Sequence, residues 1–275
     1  MTGALQQAEL TAAGLPAVAS LWVGEKLRWL DKLALASFVH RGHAVTLFHT
    51  APKPPTVPEG VVTRPAAEVF DPEGMPGFAP AQTADLFRLH LMRDSDLVWV
   101  DSDALCLRPL TLQPGGWLVG REDGTCINNA VLRMPKSSAA LAELIGVATD
   151  PAQVPDWLPP EHRAEVMSAR PHERLATACL LVPNLMGPRG LTAMLMKHGE
   201  DVHALPMRAL NPLPWSMGDA WFNPHGGVTG WFGPETMVAH LYASRLRKVH
   251  LRGRPRPHSF LADFAAEIGF SFAGA

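Results

Sequence analysis

Two aspartates one residue apart, Asp101 and Asp103, follow the apolar run Leu97–Val100. Like charges at this spacing repel, and burial at the end of a strand adds a desolvation penalty, so a positive group must lie beside them. A divalent cation meets that need, because carboxylate oxygens favour Mg²⁺ or Mn²⁺, which take phosphate oxygens as further ligands. The pair therefore predicts a metal site for a phosphate-bearing ligand. The alternative is a strand-end turn with two solvated aspartates.

The elements that precede this motif predict a parallel sheet. The apolar run 17–23 is typical of a buried strand, residues 27–39 carry apolar side chains at helical spacing, and residues 44–48 read as a second strand. Strand, helix and strand in this order form a βαβ unit. Ligands bind at the carboxyl ends of strands in open α/β sheets, so we expect the aspartate pair at the ligand-binding edge.

Helices and strands alternate along the rest of the chain as well. Proline-rich segments at 51–58 and 71–80 predict loops on either side of a short edge element near Val61. Residues 150–170 predict a surface excursion, and Pro188 is expected in the first turn of a helix. Helices are predicted at 82–93, 137–147, 174–181 and 191–197, and strands at 97–100, 117–120, 126–132 and 202–205.

Composition excludes several classes of protein. The 275 residues are 47% hydrophobic and 18% charged, which is typical of a globular chain. The formal charge is −2, and the chain has no long run of basic residues to bind phosphate groups, so nucleic acid is not an expected partner. The three cysteines lack metal-ligand spacing and are expected to be reduced thiols.

No targeting or membrane segment is expected from the sequence. Residues 1–20 lack a basic region and an export-length apolar stretch, and no window of about 18 apolar residues occurs. A cytoplasmic protein without a transmembrane segment is therefore predicted. The basic segment Arg245–Arg256 leaves peripheral contact with anionic lipid open. A solvated tail is the favoured interpretation, because no amphipathic apolar face accompanies those charges.

Several short segments, in their order along the chain, resemble a known family of enzymes. They are Ser20-Leu-Trp-Val-Gly24, Ala84-Asp-Leu-Phe-Arg88, Leu97-Val-Trp-Val-Asp-Ser-Asp103, Ile127-Asn-Asn-Ala130, Asn184-Leu-Met-Gly-Pro-Arg-Gly190 and Met237-Val-Ala-His-Leu-Tyr242. The order resembles glycosyltransferases with the Asp-X-Asp sugar-binding motif, a group that includes α-1,4-galactosyltransferases, initiating mannosyltransferases and capsular polysaccharide synthesis enzymes. The likeness spans about residues 17–245. Arg93–Asp96 replaces a common Gly-Gly pair, and Tyr242 replaces a common tryptophan.

The resemblance implies an α/β fold of the GT-A type in a single domain, 1–275. A mostly parallel nucleotide-binding sheet flanked by helices would occupy about 15–135, and a smaller acceptor-side C-terminal region about 136–250. It also implies a retaining transfer from a nucleotide sugar held through Mn²⁺ or Mg²⁺.

Carried over by position, the resemblance implies a set of site residues. Asp101, Asp103 and His240 would be metal ligands, and Trp22 would lie near the nucleotide base. Arg88 and Asp85 would face the donor sugar and diphosphate, although they could simply pair with each other one helical turn apart. His240 could equally be a packed histidine. The full predicted set is catalytic Asp101, Asp103, Arg88 and Asn129, and donor-binding Trp22, Asp85, Arg88, Ser102 and His240.

Acceptor residues are expected in two places. Asn128 and Asn129 lie on a predicted strand where asparagine has poor propensity, so at least one is expected to face a ligand or a backbone group. Trp215, Trp221 and Trp231 lie in 211–233, which has neither helical nor strand period. Sugar rings pack on indoles, so Trp215 and Trp221 are predicted acceptor contacts; the alternative is that the tryptophans cover a sheet edge.

The sequence thus predicts a metal-dependent glycosyltransferase that moves a hexose from a nucleotide sugar, with UDP favoured, to a glycan or lipid-linked acceptor. Two alternatives stay open. Haloacid-dehalogenase-like phosphatases also carry Asp-X-Asp after a strand, but Leu105 stands where they have threonine. A catalytically silent nucleotide-sugar-binding domain could share the fold.

Overall fold

The computed structural model describes residues 14–71, 77–246 and 253–272. Parts of three segments considered in the sequence lie outside these ranges: the N-terminal segment 1–20, the loop 71–80 and the basic segment Arg245–Arg256. Across the described ranges, no helix combines the length and the apolar character that crossing a bilayer requires.

The described residues contain nine strands in two sheets. The strands are β1 (Val18–Trp22), β2 (Val45–His49), β3 (Val61–Pro65), β4 (Val98–Val100), β5 (Ala104–Cys106), β6 (Leu118–Arg121), β7 (Ile127–Arg133), β8 (Ala204–Leu205) and β9 (Val238–His240). The main sheet has the order β3-β2-β1-β4-β7-β6-β8, and β5 pairs with β9 in a small antiparallel sheet. Neighbours in the main sheet are parallel except that β7 runs against both β4 and β6.

Helices pack on both faces of the main sheet. The described residues include the helices α1 (Trp29–His40), α2 (Pro80–Asp94), α3 (Ala139–Ala148), α4 (Pro160–Ser168), α5 (Arg174–Leu181), α6 (Gly190–Lys197), α7 (Met207–Leu210) and α8 (Phe260–Glu267). Val18 packs with Leu35 and Phe38 of α1, whereas the next residue, Ala19, packs in the cluster that holds Leu86 of α2. Alternate residues of β1 therefore face opposite helical layers, which confirms the expected α/β class with a mostly parallel sheet.

The strand order reverses between β1 and β4. The chain adds β2 and β3 on one side of β1 and then crosses to place β4 on the other side. A crevice forms at such a point because the connections leave the sheet in opposite directions. The residues after Trp22 and after Val100 therefore open onto a common space at the carboxyl edge.

Most elements lie within a few residues of their predicted positions, but one prediction was wrong. Residues 150–170 lie mostly at the surface, as predicted, and they contain α4, which begins at Pro160. Pro188 is not in the first turn of an α-helix: it lies in a π-helical turn, Leu185–Arg189, and α6 begins at Gly190. Gly187 has non-helical torsion angles (φ −93°, ψ −129°), which separates the two turns.

A buried histidine on α2 makes stability depend on pH. Burial lowers the pKa of His90 from 6.5 to about 4, and the positive charge of Arg93 acts in the same direction. Below pH 6.5 His90 therefore binds a proton in the unfolded chain but stays neutral in the folded chain until the pH approaches 4. We expect the free energy of unfolding to lose about 2 kcal/mol between pH 7 and pH 5 through this residue alone.

Denaturant titrations of His90→Phe against the parent measure this contribution. Phenylalanine keeps the stacked contact with Phe70, whose ring lies 4.5 Å from the imidazole, and removes the titrating group. The difference in unfolding free energy between the two proteins should change by about 2 kcal/mol over that pH range. The exposed control His225→Gln should keep the parental slope; an unchanged slope in His90→Phe would contradict the prediction.

Candidate functional site

A cavity of about 850 Å³ opens at the carboxyl edge of the main sheet. Its walls come from the ends of β1, β4 and β6 and from the beginning of the reversed strand β7. The residue before α1, one side of α2 and the segment that follows β9 also contribute to them. The lining residues that carry charge or form the argued contacts are Trp22, Arg28, Asp85, Arg88, Asp101, Ser102, Asp103, Glu122, Asn128, Asn129, Trp215, His240, Tyr242 and Arg245.

Three predicted ligands meet at one point of this cavity. One ligand atom from each of Asp101, Asp103 and His240 can be chosen so that all three lie within 4.8 Å of one another. Among the described residues, His240 Nδ1 is buried without a hydrogen-bond partner. Two carboxylates and an imidazole suit Mn²⁺ or Mg²⁺ with phosphate oxygens completing the shell, so the residues present fit the implied metal.

The small sheet brings His240 to the aspartates. Strand β5 begins directly after the Asp-X-Asp motif, and its Ala104 pairs with His240 on β9. His240 Nε2 lies 3.5 Å from Asp103 Oδ1, and the Ala243 backbone N–H donates to Asp103 Oδ2 at 2.6 Å. The burial of Asp103 acts to raise its pKa, but His240, Ala243 and Arg28 outweigh it and lower the pKa to about 2. Asp103 is therefore held as a carboxylate.

Arg88 on α2 binds two of the acidic residues at once. Its guanidinium lies 3.3 Å from Asp85 Oδ1 and 3.2 Å from Asp101 Oδ1, and donates to the Asn129 carbonyl at 2.5 Å. The Trp99 indole lies beneath the guanidinium, 4.6 Å away, and its Nε1 donates to Asp101. Arg88 and Asp85 therefore pair with each other, as one alternative predicted, and both side chains also line the cavity.

Asp85 is the least exposed of the carboxylates that line the cavity. Burial raises its pKa to about 6, although Arg88 and the Asn129 amide, which donates at 2.8 Å, favour the charged form. The π-helical turn closes over it, because a Cβ built on Gly187 would lie 2.6 Å from Asp85 Oδ2. Glycine is required at 187 for this close approach.

The other predicted donor residues lie nearby. Trp22 ends β1 at the cavity wall, and its buried Nε1 has no hydrogen-bond partner in the described part of the chain. Ser102 donates to Asp31 Oδ1 at 3.0 Å. Asn128 Oδ1 accepts from the Ala130 backbone N–H, and its amide donates to Glu122 at 2.7 Å. Asn128 therefore serves both a backbone group and a cavity carboxylate.

The three tryptophans of residues 211–233 differ in their exposure: Trp215 and Trp231 are exposed, and Trp221 is buried. Trp215 is 47% exposed and lines the cavity, with the Arg245 guanidinium 4.6 Å from its ring. Trp221 is 0% exposed and packs against Phe232 and Phe260, so its prediction as an acceptor contact was wrong. The segment has no regular period because it folds as 3₁₀ turns, which bury one indole and expose its neighbours.

Replacing each tryptophan by phenylalanine tests this division. Trp221→Phe leaves a gap in a packed cluster, so it should lower the free energy of unfolding by about 1.5 kcal/mol. Trp215→Phe removes little buried area and should change it by less than about 0.5 kcal/mol. Urea denaturation measures both; equal losses would mean that Trp215 is as much a part of the core as Trp221.

Sequence reasoning missed one pair of site residues, Arg28 and Asp31. Asp31 is completely buried yet binds Arg28, which lines the cavity. An arginine three residues before an aspartate at the start of a predicted helix is the only signal in the sequence. Glu122 also lines the cavity, at the start of a turn in which Asp123 accepts from the Thr125 and Cys126 backbone N–H groups.

The fold and the three candidate metal ligands define an α/β protein with a candidate divalent-cation site at the carboxyl edge of its sheet. No family model matches the chain, and no curated protein matches its sequence. Among solved structures, the PaToxG glycosyltransferase is similar with a TM-score of 0.43 and 12% sequence identity, over 68% of this chain and 70% of that one.

Proposed function

We propose that this protein is a metal-dependent glycosyltransferase that transfers a hexose from a nucleotide sugar, with a UDP-sugar as the favoured donor, to a glycan or lipid-linked acceptor. The observation that carries the proposal is the convergence of Asp101, Asp103 and His240 beside Arg88 in one cavity. The cavity volume, about 850 Å³, suits a ligand of nucleotide-sugar size.

Each end of the cavity suits one part of the donor. Asp101, Asp103 and His240 would hold Mn²⁺ or Mg²⁺, which when bound neutralises negative charge on a departing diphosphate. Arg88, Asp85 and Asn129 form a rigid polar wall whose hydrogen bonds suit sugar hydroxyls. The apolar face of Trp22 at the end of β1 suits a nucleotide base.

The acceptor would approach from the side of Asn128 and Trp215. The exposed indole of Trp215 offers an apolar face for a sugar ring, and Asn128 and Glu122 offer partners for hydroxyl groups. In a retaining transfer the acceptor oxygen would bond to the anomeric carbon on the face that the diphosphate leaves. The acceptor proton would pass to the leaving phosphate oxygen, so no protein base is required.

The phosphatase alternative is disfavoured by the residue that follows the two aspartates. Phosphatases of that class have a threonine two residues after the second aspartate, and Leu105, which stands there, is completely buried in the core.

One assay tests the proposal against both alternatives. The protein is incubated with Mn²⁺ and a panel of UDP-glucose, UDP-galactose, UDP-N-acetylglucosamine and GDP-mannose, and release of nucleoside diphosphate is followed. Release from one donor above the others is the expected result. Inorganic phosphate from p-nitrophenyl phosphate would indicate a phosphatase, and binding of a donor without any release would indicate a silent binding domain.

A further inference from the structure

Arg28 presents a guanidinium group to the cavity from a fixed position. Asp31 Oδ2 accepts from Arg28 Nε at 2.7 Å, and Asp31 Oδ1 accepts from Nη2 at 2.7 Å. The Arg28 backbone N–H also donates to Asp31, at 3.0 Å. Asp31 has no exposed surface, so this two-point contact is shielded from water and holds the guanidinium plane in one orientation.

Part of this guanidinium remains free for a ligand. A guanidinium carries five N–H donors, and Asp31 takes only those on one edge. The Arg28 side chain is 35% exposed, lines the cavity, and lies 5.6 Å from the Trp22 ring. Within the described ranges, Asp31 is the only carboxylate at ion-pair distance from it.

The same buried carboxylate is connected to the metal-ligand motif. Ser102, the residue between Asp101 and Asp103, donates to Asp31 Oδ1 at 3.0 Å. The hydrogen bond to Asp31 raises the pKa of Arg28, and the charge of the nearby Asp103 acts in the same direction. Asp31 therefore fixes Arg28 and the Asp-X-Asp turn relative to each other.

Arg28 and Arg88, which both line the cavity, differ in the N–H donors that they leave for a ligand. Arg88 Nε and Nη1 donate to the Ala84 and Asn129 carbonyls, and its Nη2 lies within 3.3 Å of Asp85 and Asp101. All three nitrogens of the Arg88 guanidinium are therefore engaged by the protein. Arg28 has free donors beside Asp103, which is where an anion on the metal would extend.

We infer that Arg28, oriented by Asp31, binds the diphosphate group of the ligand beside the metal ligands. The inference rests on the proposed function, since a nucleotide sugar carries this group. Arg28 is the binding residue, and Asp31 is a positioning residue that acts through it. Charge-assisted hydrogen bonds of this kind change an affinity by about 10- to 100-fold.

Titration of inorganic diphosphate in the presence of Mn²⁺, with calorimetric detection, tests this role without any sugar or base. The main variant combines Arg28→Gln with Asp31→Asn, because removing both charges leaves no unpaired carboxylate in the core. Its affinity for diphosphate should fall about 10- to 100-fold, while its affinity for Mn²⁺ alone stays within about threefold of the parent. Arg28→Lys, which keeps the charge but not the two-point contact, should show an intermediate loss.

Arg64→Gln is the matched control, because Arg64 also pairs with one carboxylate, Glu68, and lies over an aromatic ring, Phe48, but does not line the cavity. It should bind diphosphate as the parent does. The inference is wrong if the parent fails to bind diphosphate or if the double variant Arg28→Gln/Asp31→Asn binds it as the parent does. It is also wrong if Arg245→Gln lowers the affinity for diphosphate and the double variant does not. Absence of nucleoside diphosphate release from every donor, with this pattern intact, would instead overturn only the proposed function.

Discussion

Asp103→Asn should lower Mn²⁺-dependent release of nucleoside diphosphate by about a hundredfold or more, because it removes one of two carboxylates from the candidate metal site. Asparagine keeps an oxygen that can accept from the Ala243 backbone N–H, now bonded to Asp103 at 2.6 Å. The turn after β9 should therefore stay in place, and the thermal unfolding midpoint should change little.

Two measurements separate loss of metal from loss of fold. Mn²⁺ affinity, measured by calorimetry on the protein without donor, should fall in Asp103→Asn and remain parental in Asp94→Asn. Asp94 also pairs with an arginine, Arg93, but lies at the end of α2 outside the cavity. Equal Mn²⁺ affinity in the parent and Asp103→Asn would remove Asp103 from the metal site.

Arg88→Met should lower the free energy of unfolding by about 3–5 kcal/mol, the cost of leaving buried charges without their partner. Asp85 and Asp101 would both lose their cation, and the Asn129 carbonyl would lose a hydrogen bond. Methionine keeps most of the apolar stem that packs on Trp99, so the loss should reflect charge more than volume.

Guanidinium denaturation of matched variants checks this explanation. Arg93→Met, on the exposed face of the same helix, should cost less than about 1 kcal/mol because its pair with Asp94 is solvated. Adding Asp85→Asn to Arg88→Met should recover part of the loss, since one uncompensated charge is removed. Similar losses in Arg88→Met and Arg93→Met would mean that the buried network contributes little.

Local sequence patterns predicted the elements that build the sheet. The apolar run before Gly24 and the helical spacing after Leu27 placed β1 and α1 within two residues of their observed bounds. The change from an apolar strand to Asp101 and Asp103 located the edge where the candidate metal ligands gather. These features depend on short-range periodicity and on burial, both of which a single sequence displays.

Contacts between distant segments could not be predicted in the same way. Trp221 and Trp215 lie six positions apart in one irregular segment, and the packing of Phe232 and of Phe260, from a later helix, buries Trp221 alone of the two. The π-helical turn brings Gly187 close to Asp85, which lies about a hundred residues earlier, and no local pattern displays that contact. The importance of Asp31 likewise depends on Ser102, far along the chain.

Because β7 runs against its neighbours, the hairpin between β6 and β7 turns at the cavity and not at the opposite edge of the sheet. Residues 122–126 can therefore gain or lose length without shifting the register of β1, β2 or β4, the last of which is followed by Asp101 and Asp103. Glu122, Cys126 and Asn128 all reach the cavity from this hairpin. Grafting hairpins of other lengths here is a route to altered ligand choice that leaves the rest of the scaffold unchanged.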